Sequence, residues 1–127
     1  MIVVDTSALM AIVLDEPEAN ACVAALERED ALLMSAGTMA EMLIVAARRN
    51  VEHEAERLVD GLGFEIVPVN LASARRIAAA YARWGKGMNP AALNFGDCFA
   101  YELAKERGCR LLYVGADFSQ TDVERVR

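Results

Sequence analysis

Short uninterrupted apolar runs alternate along this chain with longer stretches whose apolar residues recur every three to four positions. Residues 2–4 (IVV) form a β-branched run that ends in Asp5, which predicts a short buried strand. An apolar pattern at helical spacing begins at Thr6, with Thr6 or Ser7 available as its cap. Pro17 opens a second helical stretch over 17–30. Residues 31–35 (ALLMS) predict another strand, and 36–50 a helix that ends in Arg48, Arg49 and Asn50. A further amphipathic stretch, 51–63, stops at glycines. Residues 64–69 read as a strand whose Pro68 places it at a strand end or sheet edge. Asn70 caps a helix over 70–85, 86–92 is a loop, 93–108 is a helix and 110–115 a strand. The last residues, 116–127, read as a loop with a short terminal helix. Strands alternating with helices predict an α/β sandwich around a mainly parallel sheet. In such sheets sites form beyond the carboxyl ends of the strands, where strand order reverses.

Composition narrows this picture. The 127 residues suit one domain spanning 1–127, and an apolar fraction of 55% is ample for its core. No apolar run approaches the roughly 20 residues a membrane-spanning helix needs. The N-terminus has no basic region ahead of an apolar one and meets an acid at Asp5, so a cytoplasmic location is expected. Cys22, Cys98 and Cys109 are odd in number and lack CxxC spacing, which argues against a disulfide framework or a zinc site. Cys98 and Cys109 read as small core hydrophobes. The net charge of −6 is uneven: residues 1–65 hold 13 acids and 4 bases, residues 66–127 hold 6 acids and 9 bases. A simple basic nucleic-acid binder would carry the opposite sign, so contact with nucleic acid would need a local basic patch or a bound metal.

Four acids stand where a site is expected. Asp5 follows the first strand, Glu41 lies early in the helix after the second, Asp97 is in the first turn of its helix, and Asp117 follows the last strand. The helical neighbours of Asp97 are Ala100, Tyr101 and Ala104, and those of Glu41 include Ile44 and Val45, so both acids read as core-facing. Taken singly, Asp5 and Asp97 are equally well explained as helix caps, Glu41 as an exposed acid and Asp117 as a loop acid. Taken together, four carboxylates at one sheet edge repel each other unless they share a cation. All-oxygen ligands favour Mg²⁺ or Mn²⁺ over zinc. His53, the one histidine, lies among Glu52, Glu54 and Glu56 and reads as solvated surface. The segment 75–87 offers Arg75, Arg76, Arg83 and Lys86 interleaved with Tyr81 and Trp84. That pattern suits single-stranded RNA, but equally an amphipathic helix with a solvated basic face.

The motifs VVDTSAL, AEM around Glu41, LNFGDCFAYELA and VGADFSQTDV, in this order and spacing, resemble the PIN-domain ribonucleases, and among them the VapC-type toxins of toxin–antitoxin pairs. The resemblance covers essentially the whole chain. It implies a three-layer α/β/α sandwich and Mg²⁺- or Mn²⁺-dependent endonucleolytic cleavage of RNA, with Asp5, Glu41, Asp97 and Asp117 as the catalytic and metal-holding acids. It further implies that Thr6, Ser7 and Asn94 line the pocket, that the protein forms a homodimer, and that a cognate antitoxin reaches the pocket, often with an arginine. Arg83 and Lys86 are the candidate RNA contacts. The chain departs from the family pattern at Ala116, where relatives often carry Asn or Asp. A receiver-type signalling domain would need an acidic pair after the first strand and a late lysine, which are missing, and a nucleotide-binding P-loop motif is absent. The rival in another class is a PIN fold that binds RNA or a protein without cutting.

Overall fold

The computed structural model describes residues 1–126; Arg127 lies outside the described residues. Its strands are β1 (Ile2–Val4), β2 (Leu32–Ser35), β3 (Glu65–Val67) and β4 (Arg110–Leu112). Its helices are α1 (Thr6–Val13), α2 (Ala19–Arg28), α3 (Ala36–Arg48), α4 (Glu52–Leu62), α5 (Leu71–Trp84) and α6 (Phe95–Arg107). The four strands pair only in parallel, in the order β3-β2-β1-β4. The chain therefore leaves β1 toward one side of the sheet and returns with β4 on the other, which places the reversal of strand order between β1 and β4.

Alternation within these short strands divides the core into two layers. Ile2, Val4, Leu32, Met34 and Leu112 face one way and pack with Ala8, Leu9, Met42, Ala46 and Ala55 from α1, α3 and α4. Val3, Leu33 and Leu111 face the other way and pack with Ile77, Ala80, Cys98, Tyr101 and Leu103 from α5 and α6, and with Phe118. Because both faces are covered there, the central strands β1 and β2 are buried, mainly apolar runs rather than half-polar ones. This is the expected three-layer α/β/α sandwich. β3 is an edge strand with exposed Glu65 and Ile66, and Pro68 follows it directly.

Local signals fix most boundaries. Asn70 and Ser73 form a reciprocal capping box at the start of α5, and Gly63 and Gly108 close α4 and α6 in the left-handed conformation. The chain end departs from expectation. Residues 116–126 contain no helix; instead Arg125 bridges to Leu111 in parallel, with Leu111 N–H donating to the Glu124 carbonyl and Val126 N–H to that of Leu111. Pairing here satisfies backbone groups on the open edge of β4, which a helix would leave bare. Cys109 is only half-buried, whereas Cys22 and Cys98 are buried.

Candidate active site

The carboxyl ends of β1 and β4 open onto a pocket of about 360 Å³ whose lining includes Asp5, Glu41, Asp97 and Asp117. Thr6, Ser7 and Asn94 line it as well. Four acids from four separated segments thus share one cavity at the switch point of the sheet.

Each acid is held by its own element. Asp5 caps α1: its Oδ2 accepts from the Ser7 backbone N–H at 3.1 Å and from Ser7 Oγ at 2.7 Å. Ser7 Oγ in turn accepts from the Val114 N–H at 3.0 Å, tying the end of β4 to the first turn of α1. Thr6 Oγ1 donates to Glu41 Oε1 at 2.7 Å, which orients a side chain of α3 from α1. Asn94 and Asp97 form a capping box on α6: the Asp97 N–H donates to Asn94 Oδ1 at 2.8 Å, and the Asn94 N–H to Asp97 Oδ2 at 3.0 Å. Asp117 sits exposed on the loop after β4, and Phe118, buried against Tyr113, anchors that loop. The alternatives of cap and charged site are therefore not exclusive, because Asp5 and Asp97 cap with one oxygen while facing the pocket.

Burial and repulsion leave their mark on these groups. Asp5 and Asp97 are only 4% and 6% exposed. Desolvation raises the Asp97 carboxyl from 3.8 to about 7, against the Asn94 hydrogen bond and aided by the charges of Asp5, Asp117 and Glu41. Desolvation likewise raises Asp5 to about 6, opposed by the Ser7 hydrogen bonds and aided by Glu41. The repulsion felt by Asp97 comes from the other three acids of the set.

The fit to a divalent cation rests on two further observations. Asp5 Oδ1 is buried with no hydrogen-bond partner, an orphaned anionic oxygen that a cation would satisfy. Gly96 leaves the space that the Glu41 carboxylate occupies: a Cβ there would collide with it. The donor set is all oxygen, as hard cations require. As turned here, with oxygens committed to Ser7, Thr6 and Asn94, no three described His, Cys, Asp or Glu side chains are grouped so as to hold an ion. The four acids share a pocket without converging on a single point.

One expectation about the site is corrected. Ile44, taken as evidence that Glu41 faces the core, is 57% exposed; that side of α3 borders an apolar groove shared with Phe95 and Phe99. Arg83 and Lys86 do not line the acidic pocket. Arg83 stacks over Trp84 and pairs with Asp122, and Lys86 is exposed on the loop after α5. Trp84 donates its indole N–H to Tyr101 Oη at 2.9 Å, so it bridges α5 to α6. His53 is exposed, as expected.

Two charged residues of the pocket, Glu16 and Arg49, went unread in the sequence. Arg49 carries a recognisable signal: Glu41, Val45 and Arg49 recur every four residues and form one ridge of α3.

Comparison with known proteins covers nearly the whole chain. The PIN domain family model matches residues 2–124. Ribonuclease VapC30 of Mycobacterium tuberculosis is 40% identical over 127 residues, covering 98% of this chain and 97% of the relative. Ribonuclease VapC28 of the same organism is 39% identical, covering 97% and 96%. Among solved structures, the M. tuberculosis VapC20 toxin, described as cleaving the sarcin–ricin loop, superposes with a TM-score of 0.82 at 16% identity and covers 100% of this chain and 99% of its own. A toxin–antitoxin complex from Klebsiella pneumoniae matches with a TM-score of 0.69 at 18% identity, covering 96% and 93%.

Proposed function

Because this chain belongs to the PIN domain family, we propose that it is a metal-dependent endoribonuclease and the toxin of a VapBC-type toxin–antitoxin pair. The observation that carries this reading is the shared pocket of Asp5, Glu41, Asp97 and Asp117 at the β1–β4 switch point. The relatives at about 40% identity are named ribonucleases, which supports RNA as the substrate.

Asp5, Glu41, Asp97 and Asp117 would hold Mg²⁺, or Mn²⁺ in its place. Bound there, the ion supplies a Lewis acid for the phosphoryl oxygens and lowers the pKa of coordinated water. The protein contributes placement. Thr6 fixes Glu41, Ser7 fixes Asp5 and the β4 end together, and Asn94 holds Asp97 at the start of α6. The buried and mutually repelling Asp5 and Asp97 carry a cost when ionised that a cation relieves, so the pocket is poised to bind one.

An acidic pocket of this kind also suits an arginine from an antitoxin, through charge-assisted and bidentate hydrogen bonds. Solved neighbours include VapBC complexes from Rickettsia felis and Salmonella typhimurium. The helix starting at Ala36 supplies outward apolar surface, whereas the run Leu9–Leu14 is mostly core. Ile44 of α3 and Phe95, 69% exposed, lie with Phe99 in one apolar groove; Phe95 and Phe99 continue into a second with Val69 and Tyr81. A continuous patch of this type favours burial against another chain, and we assign it to the second copy of a homodimer.

The deciding experiment incubates purified protein with structured RNA in Mg²⁺ and in EDTA. Cleavage in Mg²⁺ that EDTA stops, and that Asp5→Asn abolishes with an unchanged far-UV CD spectrum, supports the reading. Mg²⁺ binding by calorimetry with no cleavage of total cellular RNA would replace it with the non-cutting binding module.

A further inference from the structure

The pocket described above has a difficulty with its own substrate. Its lining carries five acids, Asp5, Glu16, Glu41, Asp97 and Asp117, so even with a divalent cation present it repels a polyanion. Arg49 is the one cationic side chain in that lining. It stands on the residue that closes α3, its surface is exposed, and its guanidinium makes no ion pair or hydrogen bond with a described residue. Several basic residues elsewhere are committed, Arg76 to Glu102 and Glu106, Arg83 and Lys105 to Asp122, Arg110 to Glu29, and the unpaired ones do not line this pocket. A cation left unpaired beside five carboxylates is available to a ligand from outside.

From this placement we infer that Arg49 clamps a backbone phosphate of the RNA adjacent to the one being cut. The ridge Glu41–Val45–Arg49 gives the geometry. Eight residues of helix separate Glu41 from Arg49, a rise of about 12 Å along the axis. Glu41 serves the acidic end of the pocket, and Arg49 stands beyond it at the rim. Its target is therefore a neighbouring phosphate rather than the scissile group. The planar guanidinium can meet two phosphate oxygens at once, which a lysine cannot reproduce. A contact made equally in the ground and transition states affects binding and leaves the chemical step alone. Arg49 is thus a positioning residue, and Val45 lies between it and Glu41 on the same ridge.

The inference rests on the nuclease reading, and the test separates the two. Arg49→Gln and Arg49→Lys are compared with wild type in Mg²⁺ on a fluorescent hairpin RNA with a single-stranded loop, as KM and kcat across a salt series. Mn²⁺ affinity is measured by calorimetry in parallel. For Arg49→Gln the expected result is KM raised about tenfold with kcat within about twofold. Its salt slope of log kcat/KM should be shallower by about 0.7, the share of one single-strand phosphate contact. Arg49→Lys should retain the salt slope and recover part of KM. Mn²⁺ affinity should be unchanged or tighter, because a nearby cation has been removed. An Arg49→Gln enzyme with wild-type KM and salt slope overturns the clamp alone, as does a loss of Mn²⁺ affinity, which would make Arg49 a structural support of the acids. A wild-type protein that neither binds nor cuts the hairpin or total cellular RNA overturns the nuclease reading, and the clamp with it.

Discussion

Asp97→Asn is expected to make the metal-free protein more stable while abolishing cleavage. The carboxyl of Asp97 is raised from 3.8 to about 7, first by burial and then by Asp5, Asp117 and Glu41. Its native state therefore holds the proton more tightly than the unfolded chain does. Below about pH 4 both states are protonated and there is no cost. Between about pH 4 and 7 the unfolded chain releases the proton first, so stability falls as pH rises, and above about pH 7 the loss is complete. At about 1.4 kcal/mol per pH unit across that window, the full loss is about 4 kcal/mol as an upper bound. The variant gives part of this back. Asp97 Oδ2 accepts from the Asn94 N–H, and a neutral amide oxygen makes that bond weaker by about 1 kcal/mol. Relaxation around the smaller charge takes more, leaving a net gain of about 2 kcal/mol at pH 8, or roughly 5 to 10 °C in Tm for a domain of this size. Thermal unfolding followed by far-UV CD in EDTA measures it. At pH 5, where more than half of the ionisation cost is absent, the two proteins should melt within about 2 °C of each other. Saturating Mg²⁺ should raise the Tm of wild type and leave the variant nearly still. A variant that melts below wild type at pH 8 in EDTA, or gains as much from Mg²⁺, would refute the account of Asp97 as a strained anion kept for a cation.

Two other substitutions test the supports of the site. Gly96→Ala would improve helix propensity by up to about 1 kcal/mol in open space, but its Cβ meets Glu41; Mn²⁺ affinity and cleavage should both fall at least tenfold, and calorimetry showing wild-type affinity would mean that Glu41 holds no ion. Ser7→Ala removes two bonds, one that steadies Asp5 and one that receives the Val114 N–H; a destabilisation of about 2 kcal/mol by urea unfolding is expected, with a further rise of the Asp5 carboxyl visible as an alkaline shift in the acid limb of the pH–rate profile.

Much of this architecture was legible because local and global signals agree. The central strands are short β-branched or aliphatic runs, with Asp5 following β1 and the cap Ser35 closing β2, as both-face burial requires. Asp97 was legible as a buried anion because its i+3, i+4 and i+7 partners are apolar, and all three are buried. The same argument failed for Glu41. Ile44 is apolar but faces outward, since an apolar residue on a helix marks either the core or a surface meant for another chain, and periodicity alone does not separate the two. The terminal segment misled for a related reason: its few residues are polar enough for a helix end, and what decides their conformation is pairing with the open edge of β4, which the local pattern does not show. The pairing of Arg83 was not legible because Asp122, far along the sequence, is brought beside it by the closing loop. Arg49 was hidden for the converse reason, a basic helix end being an ordinary answer to the helix dipole until its ridge is seen to run from Glu41.

The bond between Ser7 and Val114 joins groups 107 residues apart, and β4, the last of the described strands to be made, docks beside β1. During translation every earlier portion of the molecule lacks both this tether and Asp117. A growing polypeptide therefore cannot complete the four-acid pocket until β4 and the loop carrying Asp117 have been made. Ribosome-bound chains halted after Gly108 should accordingly leave added RNA intact, and cutting by such chains would show that the tether is dispensable.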